Sequence, residues 1–228
     1  NNIAFVCEPT GHLVHIAKIE KDGSGFIEKD GWNIFAGADE WTSPVEAKVG
    51  PDGNVWVLDW YNFIIQHNPT PTPDRGGYQA ESGSGNAYEN PLRDKSHGRV
   101  WRIVHQDLKL YKAVTLDKGN SKELVAILSN DNMFWRIAAQ RMLVENKKEA
   151  ALPFLYELVK RKSANPYAPI HALWTMDGLG AVKTGSEAFQ VVVDALKHAS
   201  PAVRKAASQR GVHRREELLR PGCAGSGR

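Results

Sequence analysis

Histidines, carboxylates and arginines gather at the two ends of one long connection. Gln66-His67-Asn68-Pro69 stands at its start, after an apolar run that closes on Asp59, and Arg93-Asp94-Lys95-Ser96-His97-Gly98-Arg99 returns from it. Neutral imidazole serves as a general base and as a metal ligand, so His67 and His97 are candidates for either role. For each alone, the competing reading is a loop histidine satisfied by its neighbours. Arg93 and Arg99, with Lys95, have the chemistry to hold an anionic ligand, because a guanidinium meets a carboxylate through two parallel donors. Asp94 lies among them, and a local ion-pair network explains them equally well. Asp59 is the third catalytic candidate and, with Glu46, an oxygen ligand for a metal. The alternative for a strand-end acid is a turn cap or a hydrogen bond to a neighbouring strand. His12, Glu40 and Trp41 belong to loops expected on the same face and complete the candidate ligand-binding set.

Several classes of chemistry drop out. The sequence has no Gly-rich phosphate loop, nucleophile elbow or zinc-ligand spacing. Its two cysteines, Cys7 and Cys223, form neither a disulfide framework nor a metal pattern. A formal net charge of +3, from 29 basic and 26 acidic residues, supplies no field for holding nucleic acid. No apolar run approaches the length of a membrane span. The opening Asn1-Asn2-Ile3-Ala4-Phe5-Val6 starts almost inside a strand, which suggests a piece of a longer protein.

The elements that must position these residues change character along the chain. Up to about residue 105, short β-rich runs alternate with Gly, Pro, Asn and Asp. They form two similar cycles. Ile3 to Glu8 corresponds to Val55 to Trp60, each an apolar strand with an acid at the matching place, and Leu13 to Ile16 corresponds to Val100 to Ile103. Pro51-Asp52-Gly53-Asn54 reads as a tight turn with Gly53 at positive φ. A repeated meander of this kind predicts about two blades of a β-propeller, with a β-sandwich as the alternative. In a propeller, the short connection Pro9 to His12 and the long one from Tyr61 to His97 emerge on the ligand face.

From residue 121 the apolar period becomes helical, with Leu124, Ile127 and Leu128 on one face and Phe134, Ile137, Ala138, Met142 and Leu143 on the next. Asp131-Asn132, Asn165-Pro166 and Ser200-Pro201 read as helix starts. Ala138, Ala172 and Ala206 recur at a period of roughly 34 residues, as in stacked helix pairs. Trp135 to Ala139 and Val203 to Ala207 suggest the small-residue core and exposed arginine of a HEAT-type second helix. The expected architecture is therefore multidomain, β then α: propeller blades over 1–105, a linker over 106–120, a HEAT-like α-solenoid over 121–210, and a disordered or non-native tail over 211–228. A natural flexible tail is the alternative for that last segment.

Val49 to Asn62, followed by Gln66 to Pro71 and then Asn90 to Ile103, resembles the planctomycete-type membrane-bound dehydrogenases. These are large exported proteins whose propeller is distantly similar to quinone-dependent glucose and sorbosone dehydrogenases, and is commonly followed by HEAT repeats and a haem domain. The resemblance covers residues 3 to 210. It implies an exported or periplasmic parent acting on a sugar or polyol with a quinone and calcium, and it places Asp59, His67, Arg93, His97 and Arg99 at family-motif positions without established roles. The alternatives are a metal-dependent propeller hydrolase for lactones or esters, with Asp59, Glu46, His67 and His97 as ligands, and a non-catalytic scaffold that self-associates through an open sheet edge.

Overall fold

The structure, a computed structural model, describes residues 3–22, 25–63, 74, 81–82, 88–89, 94–107, 114–161 and 166–219. The chain is β then α, as its periodicities require, and divides into two compact units, Asn1–Tyr111 and Lys112–Arg228.

In the first unit, β1 (Ile3–Glu8), β2 (Leu13–Asp22) and β3 (Gly25–Ala36) form one antiparallel meander. A second sheet contains β4 (Pro44–Val49), β5 (Val55–Asp59) and β8 (Arg99–Ile103) in that order. Between β5 and β8 lies a separate two-stranded pair, β6 (Glu81–Ser82) with β7 (Tyr88–Glu89). The two cycles read from the sequence are the β1–β2 and β5–β8 pairs, which share antiparallel pairing: Cys7 faces Val14, and Leu58 faces Val100. The sheets meet where β1 lies along β4 and where Phe35 of β3 approaches Trp101 of β8, ring centroids 5.7 Å apart. Val14, Ile16 and Val57 are buried there. Strand β2 is irregular on either side of His15, and opposite that irregularity a side chain at Gly31 would strike the Ile16 carbonyl oxygen. The β4–β5 turn forms as expected, with Gly53 at φ 79° and its N–H donating to the Gly50 carbonyl.

The second unit consists of α1 (Ser121–Ile127), α2 (Met133–Glu145), α3 (Leu152–Lys160), α4 (Tyr167–Gly178), α5 (Glu187–Ala195) and α6 (Pro201–Leu219). Asn120, Asn132 and Ser186 cap α1, α2 and α5 by accepting from backbone N–H groups of the first turn. The even-numbered helices begin at residues 133, 167 and 201, which is 34 residues apart each time. Leu128, Leu143, Leu155, Leu173, Met176, Val182 and Val203 fill the common core. Helix α6 continues past Gly211 to Leu219, beyond the point where the apolar stripe ends. The Arg, Glu and Leu residues of this segment are good helix formers without that stripe.

One arginine contradicts the sequence reading. Arg136, expected to be exposed, is buried. Its Nη1 donates to the carbonyls of Asn130 (2.6 Å) and Asp131 (2.8 Å), in the turn between α1 and α2. Arg204 repeats the contact at the same offsets, donating to His198 (2.8 Å) and Ala199 (2.9 Å). Nε of Arg136 also donates to Nε2 of His171 (3.3 Å), which fixes the imidazole as neutral with its proton on Nδ1, bonded to Gln140 Oε1 at 2.7 Å. Burial, and then the neighbouring guanidinium, pull His171 down to about 4. The unfolded chain, with an ordinary histidine near 6.5, binds this proton more readily, so the stabilisation is complete above that value and lost as pH falls toward 4. We predict that urea unfolding monitored by helical circular dichroism shifts to lower midpoints from pH 7 to pH 5, and that His171→Gln removes a measurable part of that shift. Equal pH slopes in the two proteins would contradict the assignment.

Candidate functional site

Alternation along β5 turns Val57 and Asp59 inward and leaves Trp56 and Leu58 exposed. An apolar strand thereby delivers a carboxylate into the interior. Oδ1 of Asp59 accepts from the backbone N–H of Ser43 (2.8 Å) and of Tyr61 (3.0 Å). Oδ2 accepts from Nε of Arg99 (2.8 Å) and Nε1 of Trp101 (2.9 Å). Burial opposes ionisation, yet the donors from Ser43, Trp101, Tyr61 and Arg99 outweigh it and hold the carboxyl below the usual carboxylate range.

Arg99 is held equally firmly. Nη1 donates to Asp39 Oδ2 (2.8 Å), Nη2 to Thr42 Oγ1 (3.1 Å), and the guanidinium lies over the Tyr61 ring, 4.3 Å from its centroid. Asp39 also receives the Trp41 N–H at 3.0 Å, which with Arg99 keeps it ionised below its ordinary range. The hydroxyl of buried Ser43 donates to the Asn62 carbonyl (2.6 Å), and the Trp60 N–H donates to the Ser43 carbonyl (2.8 Å). The loop before β4 and the loop after β5 are thus tied together beneath one acid.

On this base stands a cleft of about 440 Å³ lined by Trp41, Tyr61, Asp94, His97, Gly98 and Arg99. Trp41 stacks on Tyr61 with centroids 5.4 Å apart, and the His97 ring meets Tyr61 edge-on at 6.0 Å. Asp94 accepts from the Ser96 N–H and hydroxyl, both at 2.7 Å, and from Nδ1 of His97. These donors, the Ser96 amide first, depress the Asp94 carboxyl to about 2. An ionised Asp94 can only accept, so the His97 proton sits on Nδ1 when the ring is neutral. Nε2 is left as a proton acceptor, with no partner among the described residues.

The structure brings Trp41, Asp59, His97 and Arg99 into one assembly and adds His12, whose Nδ1–H donates to the Thr42 carbonyl at 2.6 Å. Glu40 is exposed beside Trp41. Glu46 pairs with Lys48 on its own strand. His67 and Arg93 lie outside the described residues. Two assignments change. Asp59 has two donors on each oxygen, one of them a guanidinium, which leaves it neither a base nor a metal ligand in this arrangement. Arg99 has three of its nitrogens engaged, so it braces the cleft and is not a free anion receptor. Calcium takes six to eight oxygens, and no cluster of three or more metal-capable His, Cys, Asp or Glu residues occurs among the described residues. The described donors therefore do not fit a calcium ion, and Arg99 is not free for an anionic cofactor. Asp39, Thr42, Ser43 and Tyr61 were not singled out by the sequence. For the first three, the signal is the polar cluster Asp39 to Ser43 ahead of a strand.

Residues 1–107 match the family model described as a domain of unknown function, DUF7133. No curated protein and no solved structure matches the chain.

Removing a buried carboxylate that pairs with a guanidinium leaves the remaining charge uncompensated and costs about 3–5 kcal/mol. Arg99 keeps some solvent contact and a second acid, so for Asp59→Ala we predict a loss of about 3 kcal/mol, at the low end of that range. Asp59→Asn, which retains one acceptor oxygen, costs less. Urea unfolding followed by tryptophan fluorescence measures both, and a midpoint unchanged in Asp59→Ala would refute the role of this acid.

Proposed function

We propose that residues 1–107 are propeller blades related to the quinone-dependent sugar and polyol dehydrogenases, joined to HEAT-like helices in an exported protein. In this reading, the cleft between Trp41 and His97 receives a sugar or polyol hydroxyl. The observation that carries it is the Asp94–His97 pair: a carboxylate on Nδ1 presents Nε2 as a proton acceptor inside an aromatic-walled cleft. Flat aromatic faces suit the C–H faces of sugar rings, and an imidazole oriented by a carboxylate suits removal of a hydroxyl proton. Asp94 acts as the positioning residue, and Arg99 fixes the Tyr61 wall from behind. Two meanders meeting along β1 and β4, with the ligand residues at strand ends, support the blade reading. Helix starts at a constant interval and a repeated arginine-to-carbonyl contact support the array reading.

No residue described here supplies the oxidant, so the proposal assigns this chain binding and proton abstraction alone. The hydrolase alternative lacks a ligand set among the described residues. Self-association through a sheet edge has open candidates in β3 and β8, which end their sheets.

Titration of the whole chain with a panel of neutral sugars and polyols, followed by tryptophan fluorescence and calorimetry, tests the reading. We expect saturable binding at millimolar concentrations, weakened about tenfold by Trp41→Ala, which corresponds to ~1.4 kcal/mol. His97→Asn should leave the circular dichroism spectrum unchanged while weakening binding. Absence of saturable binding across the panel would refute the carbohydrate assignment.

A further inference from the structure

The two aromatic walls of the β-unit cleft come from different segments, and one guanidinium is joined to both. Tyr61 follows β5, and Arg99 lies over its ring, 4.3 Å from the centroid. Trp41 stands at the crest of the turn between β3 and β4, and Arg99 reaches it through Asp39. Oδ1 of Asp39 accepts the Trp41 N–H at 3.0 Å, and Oδ2 accepts from Arg99 Nη1 at 2.8 Å. An aspartate that accepts from the backbone two residues on fixes the local turn, and with it the direction in which Trp41 leaves the chain. Asp39 is not among the residues that line the cleft.

The base of the same turn is held otherwise. His12 donates to the Thr42 carbonyl at 2.6 Å, the Gly37 N–H donates to the His12 carbonyl at 2.8 Å, and Arg99 Nη2 donates to Thr42 Oγ1 at 3.1 Å. Thr42 and Ser43 are buried. A side chain at Gly37 would come within 2.5 Å of Thr42 Oγ1, so glycine lets the two ends of the turn close on each other. The crest lacks this shelter. The Arg99 and Asp39 side chains keep 28% and 45% of their surface exposed, which puts their ion pair within reach of dissolved salt. The inner acid differs: the Asp59 side chain is fully buried and holds Arg99 in place when the outer pair is screened.

We propose that Asp39 is a positioning residue of this cleft and that the Asp39–Arg99 pair couples the cleft to ionic strength. Screening loosens the Trp41 wall and leaves the Tyr61 wall where it is. Taken with the carbohydrate reading of the cleft, on which this rests, even an uncharged ligand binds more weakly as salt rises.

The test uses the full chain with its seven tryptophans replaced by 5-fluorotryptophan, the Trp41 resonance being identified by its loss in Trp41→Phe. Without ligand, the Trp41 fluorine signal should move in Asp39→Ala. It should move less in Asp39→Asn, which keeps an acceptor for the Trp41 N–H. In the parent the signal should also move as sodium chloride rises from about 20 to about 500 mM, and in Asp39→Asn it should not. Thermal unfolding of both variants should stay close to that of the parent, as an exposed pair requires. Binding of a neutral sugar by the parent should weaken about two- to threefold over the same salt range, and Asp39→Asn should bind at that weaker level throughout. A Trp41 signal indifferent to Asp39→Ala, or equal salt slopes of that signal in the parent and Asp39→Asn, would overturn the positioning role whether or not a sugar binds. Salt-independent affinity in a parent that binds sugar would overturn the coupling. A Trp41 signal that responds as expected in a chain that binds no sugar would refute the carbohydrate reading and support Asp39 as the residue that places Trp41.

Discussion

One buried carboxylate organises the β unit. Asp59 arrives at the end of an apolar strand, where the alternation that buries Val57 must bury it too. A charge in that position survives only if the surrounding chain turns donors toward it. Two backbone amides, an indole and a guanidinium do so. The donors come from the loop ahead of β4, from the residue two beyond Asp59, and from Arg99 and Trp101 of β8. One side chain therefore fixes the relative placement of three segments, including the far end of the long connection. The orientations of Trp41, Tyr61 and His97 all depend on loops that leave this hub.

The hub also explains why the two similar cycles differ chemically. Glu8 occupies the place in the first cycle that Asp59 occupies in the second, and both end a strand whose partner follows in antiparallel register. Glu8 is exposed, and its Oε1 only accepts from the Thr10 N–H at 2.9 Å, which is a local turn cap. No arginine stands across from it. Leu13 holds the position that Arg99 holds opposite Asp59. The arginine at that cross-strand position, together with the Ser43, Tyr61 and Trp101 donors, separates a buried ion pair from a turn cap.

Legibility followed the range of the interaction. The β-to-α change, the β4–β5 turn and the starts of α2 and α6 were readable because each rests on residues a few positions apart. The cluster of His97, Arg99 and Asp59 was readable as a set, since all three flank one connection. Their roles were not. The sequence offers Arg99 as an anion receptor or as part of a local ion-pair network with Asp94, but it pairs with Asp39 and Asp59, which lie 60 and 40 residues away in sequence. Asp94 is left to orient His97. Arg136 misled for a similar reason. A helical arginine reads as a solvated charge until the six-residue reach back to the preceding turn is known.

Both units use the guanidinium in the same manner, and this decides which groups remain available for ligands. Arg99 ties two loops under an aromatic cleft, and Arg136 and Arg204 brace the turns ahead of their own helices by donating to pairs of carbonyls. Ile170 of α4 stands 34 residues from each of these arginines and packs against the apolar core instead. A guanidinium held by several bonds is scaffold, because moving it breaks them at once. Ligand chemistry then falls to the groups that the scaffold leaves with an open valence. In the reading proposed for the β unit, that group is Nε2 of His97, which the Asp94 carboxylate on Nδ1 leaves as an acceptor.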